Sequence, residues 1–291
     1  MSVPILRFAP SPNGYLHLGH AASALQNQRV ARRLGGKVLL RIEDIDIGRT
    51  REEFVDAIKQ DLEWIGFEWD GEVRRQSEHF ADYQRAAEEL AGQGLLYPCF
   101  ATRAEIEEVA RQDGSARDPD GAYIYPGLWR GKSEAEVKAR FERGEPFAMR
   151  LDMEKALRLA AGAGREQSLS YFEMHDPEGG TRVPVDPARW GDVVLQRKDV
   201  PTSYHLSVVV DDALQGVTHV VRGLDLQAAT DIHRLLQDLL GLSEPQYFHH
   251  ELIRDAQGRK LSKSDASTSL RSLRQAGWSQ REVLAKIGLA D

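Results

Sequence analysis

Arg7-Phe8-Ala9-Pro10-Ser11-Pro12-Asn13-Gly14-Tyr15-Leu16-His17-Leu18-Gly19-His20 is the stretch on which the fold turns. It continues an apolar run that starts at Val3, is broken by Pro10, Pro12 and Gly14, and leads into a helical pattern over about 18–34. A strand, a Pro/Gly turn and a helix start in that order form the mouth of an α/β nucleotide fold. Unpaired backbone N–H groups and the positive end of the helix converge there, which suits a phosphate. His17 and His20 add donors in the first turn and are candidate grips for a triphosphate. Gly14 and Gly19 give the backbone room to turn and to approach the ligand closely.

Working outward, strand and helix patterns alternate: a strand at 37–42, then helices at about 50–65 and 80–93. Alternation of this kind implies βαβ crossovers and a parallel sheet. Beyond Leu95 the texture changes. Breakers cluster at 113–121, 126–131, 160–165 and 177–187, with short strands between them, which reads as an insertion. Apolar strand patterns resume at 193–195, 206–210 and 217–221. A helix at 226–240, a short strand at 247–249 and a final helix near 280–286 follow. The expected division is a first half of the sheet domain at 1–94, an inserted subdomain at 95–190, the second half at 191–245, and a C-terminal segment at 246–291.

That last segment contains Lys260-Leu261-Ser262-Lys263-Ser264, a basic stretch beside Gly258 without apolar periodicity. It reads as a mobile loop whose Lys260 and Lys263 neutralise charge on a transferring phosphate. The chain as a whole carries −7, which argues against indiscriminate binding to nucleic acid. From Gln246 onward, however, eight Lys or Arg face five acids, so phosphate contacts are expected there, or a solvated helical surface of the same composition. Hydrophobic residues at 41% and charged residues at 29% describe an ordinary soluble enzyme. No apolar run approaches the roughly 20 residues of a membrane span, and the first residues lack a leader pattern, so a cytoplasmic protein without membrane contact is expected. Cys99 is the only cysteine, which excludes an internal disulfide.

Five blocks in this order resemble the class I glutamyl-tRNA synthetases: residues 7–14, His17 to His20, Leu40-Arg41-Ile42-Glu43-Asp44-Ile45-Asp46, Val220-Val221-Arg222-Gly223-Leu224-Asp225-Leu226, and the lysine stretch. The resemblance implies a Rossmann-type parallel sheet with an inserted subdomain that receives a tRNA end and a short helical C-terminal segment. It also implies ATP, accompanied by Mg²⁺, and glutamate as substrates. The acid's oxygen attacks the α-phosphate in line while pyrophosphate leaves, so positioning and charge neutralisation carry the rate. His17, Gly19 and His20 would hold the phosphates, Lys263 the pentavalent phosphorus, and Lys260 the leaving group. For glutamate, Arg7 and Arg222 are candidate receivers of carboxylates, because an arginine fork matches a carboxylate with two hydrogen bonds. Glu43 is the candidate partner of the ammonium group, Ser11 and Tyr204 are hydrogen-bonders, and Ala9 contributes backbone. Taken alone, Arg7 and Glu43 also fit a structural ion pair at a strand end. Asp44 and Asp46 fit helix capping or the bracing of Arg49 and Arg51.

Only 27 residues follow Ser264. The sequence is therefore expected to lack the helical anticodon-reading part of the full-length family and to resemble its stand-alone glutamyl-Q tRNA(Asp) paralogues. These attach glutamate to the queuosine base in the anticodon loop of tRNA(Asp), and a monomer is expected. Two alternatives stay open: a truncated glutamyl- or glutaminyl-tRNA synthetase charging an acceptor end, and a silent binding module.

Relatives often carry a zinc site in the insertion. Its positions here read Cys99, Ala101, Tyr125 and Trp129. One thiolate and one phenol cannot close a tetrahedral structural site, so no zinc is expected and Ala101 and Trp129 should fill the space with apolar packing. Gly127-x-x-x-Gly131-Lys132-Ser133 is one residue short of a phosphate-binding loop and reads as a turn. His249-His250 has no metal-ligand spacing around it and reads as structural.

Overall fold

A computed structural model of the chain describes residues 3–162, 169–176, 179–252 and 269–289. Strand β1 (Ile5–Phe8) leads through the proline turn into α1 (Leu18–Leu34), and the chain returns in β2 (Lys37–Ile42), parallel to β1 with Ile5 opposite Lys37 and Phe8 opposite Leu40. The buried face of α1 combines the small Ala21, Ala22, Ala24 and Ala31 with Asn27, Gln28 and Val30, and Asn27 Nδ2 donates to the Val221 carbonyl at 3.0 Å, which ties the helix to the sheet. It stops at Gly35, whose left-handed φ of 63° is the conformation that closes a helix end without a Cβ penalty. Helix α2 (Glu52–Trp64) and the short β3 (Arg74–Arg75), parallel to β2, complete this half, followed by α3 (Phe80–Gly92).

The insertion contains a small antiparallel sheet of β4 (Leu96–Cys99) and β5 (Ala148–Leu151), with α4 (Arg103–Gln112) and α5 (Glu134–Glu142) between them. Then come α6 (Met153–Gly162), the hairpin β6 (Ser170–Asp176) and β7 (Gly179–Pro184), and β8 (Val194–Gln196). Here the expected boundaries shift. Strand β8 pairs with β5 inside the insertion, whereas β6 lies parallel to β10 (Gln246–His250) and so belongs to the second half of the main sheet. Pairing thus carries residues 170–176 and 179–184 toward the main sheet and residues 194–196 toward β5.

The second half runs through α7 (Tyr204–Leu214), β9 (His219–Gly223), α8 (Thr230–Leu239) and β10, with β10 parallel to β9. Residues 206–210, expected as a strand from their valine run, lie in α7. Leu206 to Asp212 are all buried there, and a helix apolar on every side has no amphipathic period by which to be recognised. Strand β9 reaches β1 through Thr218, whose N–H donates to the Ile5 carbonyl at 2.9 Å and whose hydroxyl accepts from Ile5 N at 2.8 Å. The chain thus proceeds outward from β1 through β2 on one side and from β9 through β10 on the other. Such a switch point opens a crevice at the carboxyl ends of the strands. Helices α9 (Leu270–Gln275) and α10 (Gln280–Lys286) pack Leu270, Leu273 and Val283 into the core beside α2. Among the described residues, no helix is long and apolar enough to cross a membrane.

Two adjacent carboxylates on α7 hold the halves together. Asp211, fully buried, accepts from Arg74 Nε (2.8 Å), Gln76 Nε2 (2.8 Å) and the Tyr83 hydroxyl (2.9 Å). Asp212 accepts from Arg7 Nε (2.9 Å) and Arg41 Nη1 (2.8 Å) through one oxygen. Removing one member of a buried ion cluster strands its partners, so Asp211→Ala should lower stability by about 3–5 kcal/mol. Urea unfolding of the variant checks this; a loss under about 1 kcal/mol would contradict it.

Candidate active site

The crevice between β1 and β9 is a cavity of about 460 Å³. Its lining includes Arg7, Ala9, Ser11, His17, Gly19, His20, Glu43, Tyr204 and Arg222. The structure thus brings together all nine described residues expected at the site. Lys260 and Lys263 lie outside the described residues. The segments on either side of them meet this region: Leu252 lines the cavity, Ser269 bridges His17 in antiparallel fashion, and Leu270 N donates to the Leu16 carbonyl at 2.7 Å.

At the start of α1 the two histidines cap the helix. His17 Nδ1 accepts from Gly19 N and His20 Nδ1 accepts from His17 N, both at 3.1 Å. These bonds put the proton of each neutral ring on Nε2. The first turn holds no acidic residue, so nothing on the helix competes with an anion for its positive end.

Away from the start of α1 the cavity lining is electrostatically divided. Arg7, at the end of β1, is ion-paired with Asp212. Glu43, just beyond β2, is held by Arg41 Nη2 at 3.2 Å. Burial keeps the Glu43 carboxyl above the usual carboxylate range in spite of Arg41 and Arg7, so a cation placed beside it would be welcomed. Burial likewise raises the Tyr204 phenol, which stays protonated. Arg222 differs from Arg7: its three nitrogens donate to His249 Nε2 (3.1 Å), His233 Nδ1 (3.2 Å) and Thr230 Oγ1 (2.7 Å). Among the described residues no carboxylate lies within ion-pair distance of it.

Other expected roles divide. Asp46 does pair with Arg49, at 3.5 Å, and also with Arg197 at 3.4 Å. Asp44 instead accepts from Arg75 Nε (3.0 Å), Ser77 N and the Ser77 hydroxyl, so it braces the turn before α3 rather than Arg49 or Arg51. Cys99, Ala101, Tyr125 and Trp129 come together as an apolar cluster with Tyr97, Ile106 and Leu128; Cys99 Sγ reaches the Tyr125 hydroxyl at 3.3 Å. Among the described residues no group of three or more His, Cys, Asp or Glu is arranged for a metal. Ser133 caps α5 in a capping box with Glu136, and Gly127 and Gly131 turn the chain ahead of it. Of the histidine pair, His249 is buried between Arg222 and Glu173, whereas His250 lines the cavity, its Nδ1 3.0 Å from the Glu251 carbonyl. Thr230, His233, His205 and Glu173 escaped sequence reading because they come from three elements, α8, α7 and β6, that no local spacing relates. The Asp211-Asp212 pair inside an apolar run was the one available signal.

A family model described as "tRNA synthetases class I (E and Q), catalytic domain" matches residues 5–289. The chain belongs to this family. It is 44% identical over 288 residues to a glutamyl-Q tRNA(Asp) synthetase of Rhodobacter capsulatus, covering 98% of this chain and 100% of that one. It is 38% identical to glutamate-tRNA ligase 1 of Ruegeria pomeroyi, spanning all of this chain but 62% of the relative. Among solved structures, a glutamate tRNA ligase of Elizabethkingia meningosepticum in complex with its amino acid superposes with a TM-score of 0.72 at 28% identity, covering 95% of this chain and 54% of that one.

Burial pushes the His205 imidazole down to about 4 and holds His233 well below the ordinary 6.5. Both are therefore neutral in the fold where an unfolded chain would begin to protonate, and stability falls as the pH drops from 6.5 toward about 4. His205→Asn should shrink the difference between the urea midpoints at pH 7.5 and pH 5. An unchanged difference would count against buried neutral imidazoles.

Proposed function

We propose that the protein activates glutamate with ATP as glutamyl-adenylate and transfers the glutamyl group to the queuosine base in the anticodon loop of tRNA(Asp). The observation that carries this reading is a cavity that joins a histidine-capped helix start, acid-free in its first turn, to a buried arginine with no carboxylate partner among the described residues. Phosphates need the first and an acidic amino acid needs the second. The relative matched over its full length at 44% identity carries the same activity in its name, which supports the acceptor assignment.

In this reading ATP arrives with Mg²⁺, and Nε2–H groups of His17 and His20 donate to its phosphates beside the Gly19 backbone. Arg222 receives the glutamate side-chain carboxylate, with Arg7 beside it; Glu43 faces the ammonium group, and Ser11, Tyr204 and the Ala9 backbone complete the hydrogen bonds. A carboxylate oxygen attacks the α-phosphorus and pyrophosphate leaves. Lys263 neutralises charge on the phosphorus and Lys260 on the leaving group, on the strength of the sequence motif. The acceptor group then attacks the acyl carbon and AMP departs. No zinc takes part, and the enzyme works as a cytoplasmic monomer.

Exchange of labelled pyrophosphate into ATP should occur with glutamate and without tRNA. Incubation with bulk tRNA, nuclease digestion and mass spectrometry should find glutamate on an anticodon-loop nucleoside; glutamate on the 3′-terminal ribose would sink the acceptor assignment. Lys263→Ala should slow exchange at least about tenfold with an unchanged thermal midpoint, because the group acts on the transition state and not on the core. Wild-type exchange in that variant would remove Lys263 from its role.

A further inference from the structure

The bonds around Arg222 have fixed directions. A guanidinium only donates, so His249 must accept on Nε2 and carry its proton on Nδ1, which reaches Glu173 Oε2 at 2.7 Å. By the same logic His233 accepts on Nδ1 and carries its proton on Nε2, 3.3 Å from His205 Nδ1. Thr230, at the start of α8, supplies a hydroxyl oxygen to the remaining nitrogen. All three acceptors are neutral groups, and His233 is 1% exposed. The nearest acid in this shell, Glu173, is separated from the guanidinium by the His249 ring. Arg7 shows the contrary arrangement in the same cavity, since its guanidinium bonds directly to the Asp212 carboxylate.

Orientation and charge are thereby separated. A carboxylate neighbour would aim Arg222 equally well, but would also neutralise it. Neutral acceptors aim it and leave a buried cation that gains most from an anionic ligand. A carboxylate side chain supplies that anion, whereas the amide of glutamine leaves the charge uncompensated.

Building on the glutamate-activating reading, we infer that His233 and Thr230 are positioning residues that orient Arg222 without neutralising it, and that the charge so retained sets the preference for glutamate over glutamine. Burial together with the Arg222 charge keeps His233 unprotonated at neutral pH, which preserves it as an acceptor.

The test is a pair of variants of equal shape that differ in charge. Pyrophosphate exchange is measured on the full chain with glutamate and with glutamine for His233→Gln and His233→Glu. His233→Gln, which keeps a neutral acceptor, should hold the glutamate KM within about threefold of wild type. His233→Glu should raise it at least about tenfold and shrink the glutamate-over-glutamine ratio of kcat/KM by a similar factor, with the ATP KM unchanged in both. Thr230→Asn and Thr230→Asp repeat the comparison on the other nitrogen and decide the matter if His233→Glu does not fold. A purely structural role would move both members of a pair together, so equal glutamate KM values within each pair overturn the inference. Absence of glutamate-dependent exchange in the wild type overturns the glutamate-activating reading itself.

Discussion

The acid pair of α7 is the constraint from which the site follows. Asp211 and Asp212 sit at neighbouring positions of a helix whose whole middle is buried; Asp211 pairs with Arg74 and, at 3.8 Å, with Arg41, while Asp212 pairs with Arg7 and the same Arg41. Asp211 fastens the stretch between β3 and α3; Asp212 fastens β1 and β2 through Arg7 and Arg41. Strands far apart in sequence are drawn onto one helix, and the residues they carry into the cavity inherit that register. Burial opposes the charge on Asp212, but Arg7 and Arg41 hold its carboxyl below the usual range. Such a cluster is a poor source of net stability compared with apolar packing, yet it is unforgiving of a missing member. Its contribution here is geometric: Arg7 and Glu43 flank Arg41, and both face the cavity.

Around this anchor the cavity presents three electrostatic environments within one crevice. The start of α1 is positive by backbone geometry alone, Glu43 is an anion made uncomfortable by burial, and Arg222 is a cation surrounded by neutral acceptors. The three environments are complementary in charge to a polyphosphate, an ammonium group and a carboxylate respectively. Preorganisation of this type lowers the cost of assembling the reacting groups.

Legibility in the sequence followed the range of the interactions. The β1 turn into α1, the 37–42 strand and the 280–286 helix were readable because propensity, period and punctuation agree locally. The site residues were readable because they fall in compact blocks around strand ends, where Arg7, Glu43 and Arg222 sit. What failed was long-range. The valine run of α7 looks like a strand until its neighbours bury it on all sides, and the two local fits for Asp44, helix capping or the bracing of Arg49 and Arg51, miss its partners Arg75 and Ser77, which lie more than thirty positions away. The shell of Arg222 draws on β6, α8 and β10, three elements that no local pattern relates.

One consequence concerns the hairpin that crosses from the insertion into the main sheet. Strand β6 meets β10 where Glu173 lies opposite Tyr247, and the same Glu173 grasps both the main chain and the ring of His249. A displacement of this hairpin would therefore reach the guanidinium of Arg222 through two hydrogen bonds, Glu173 to His249 and His249 to Arg222.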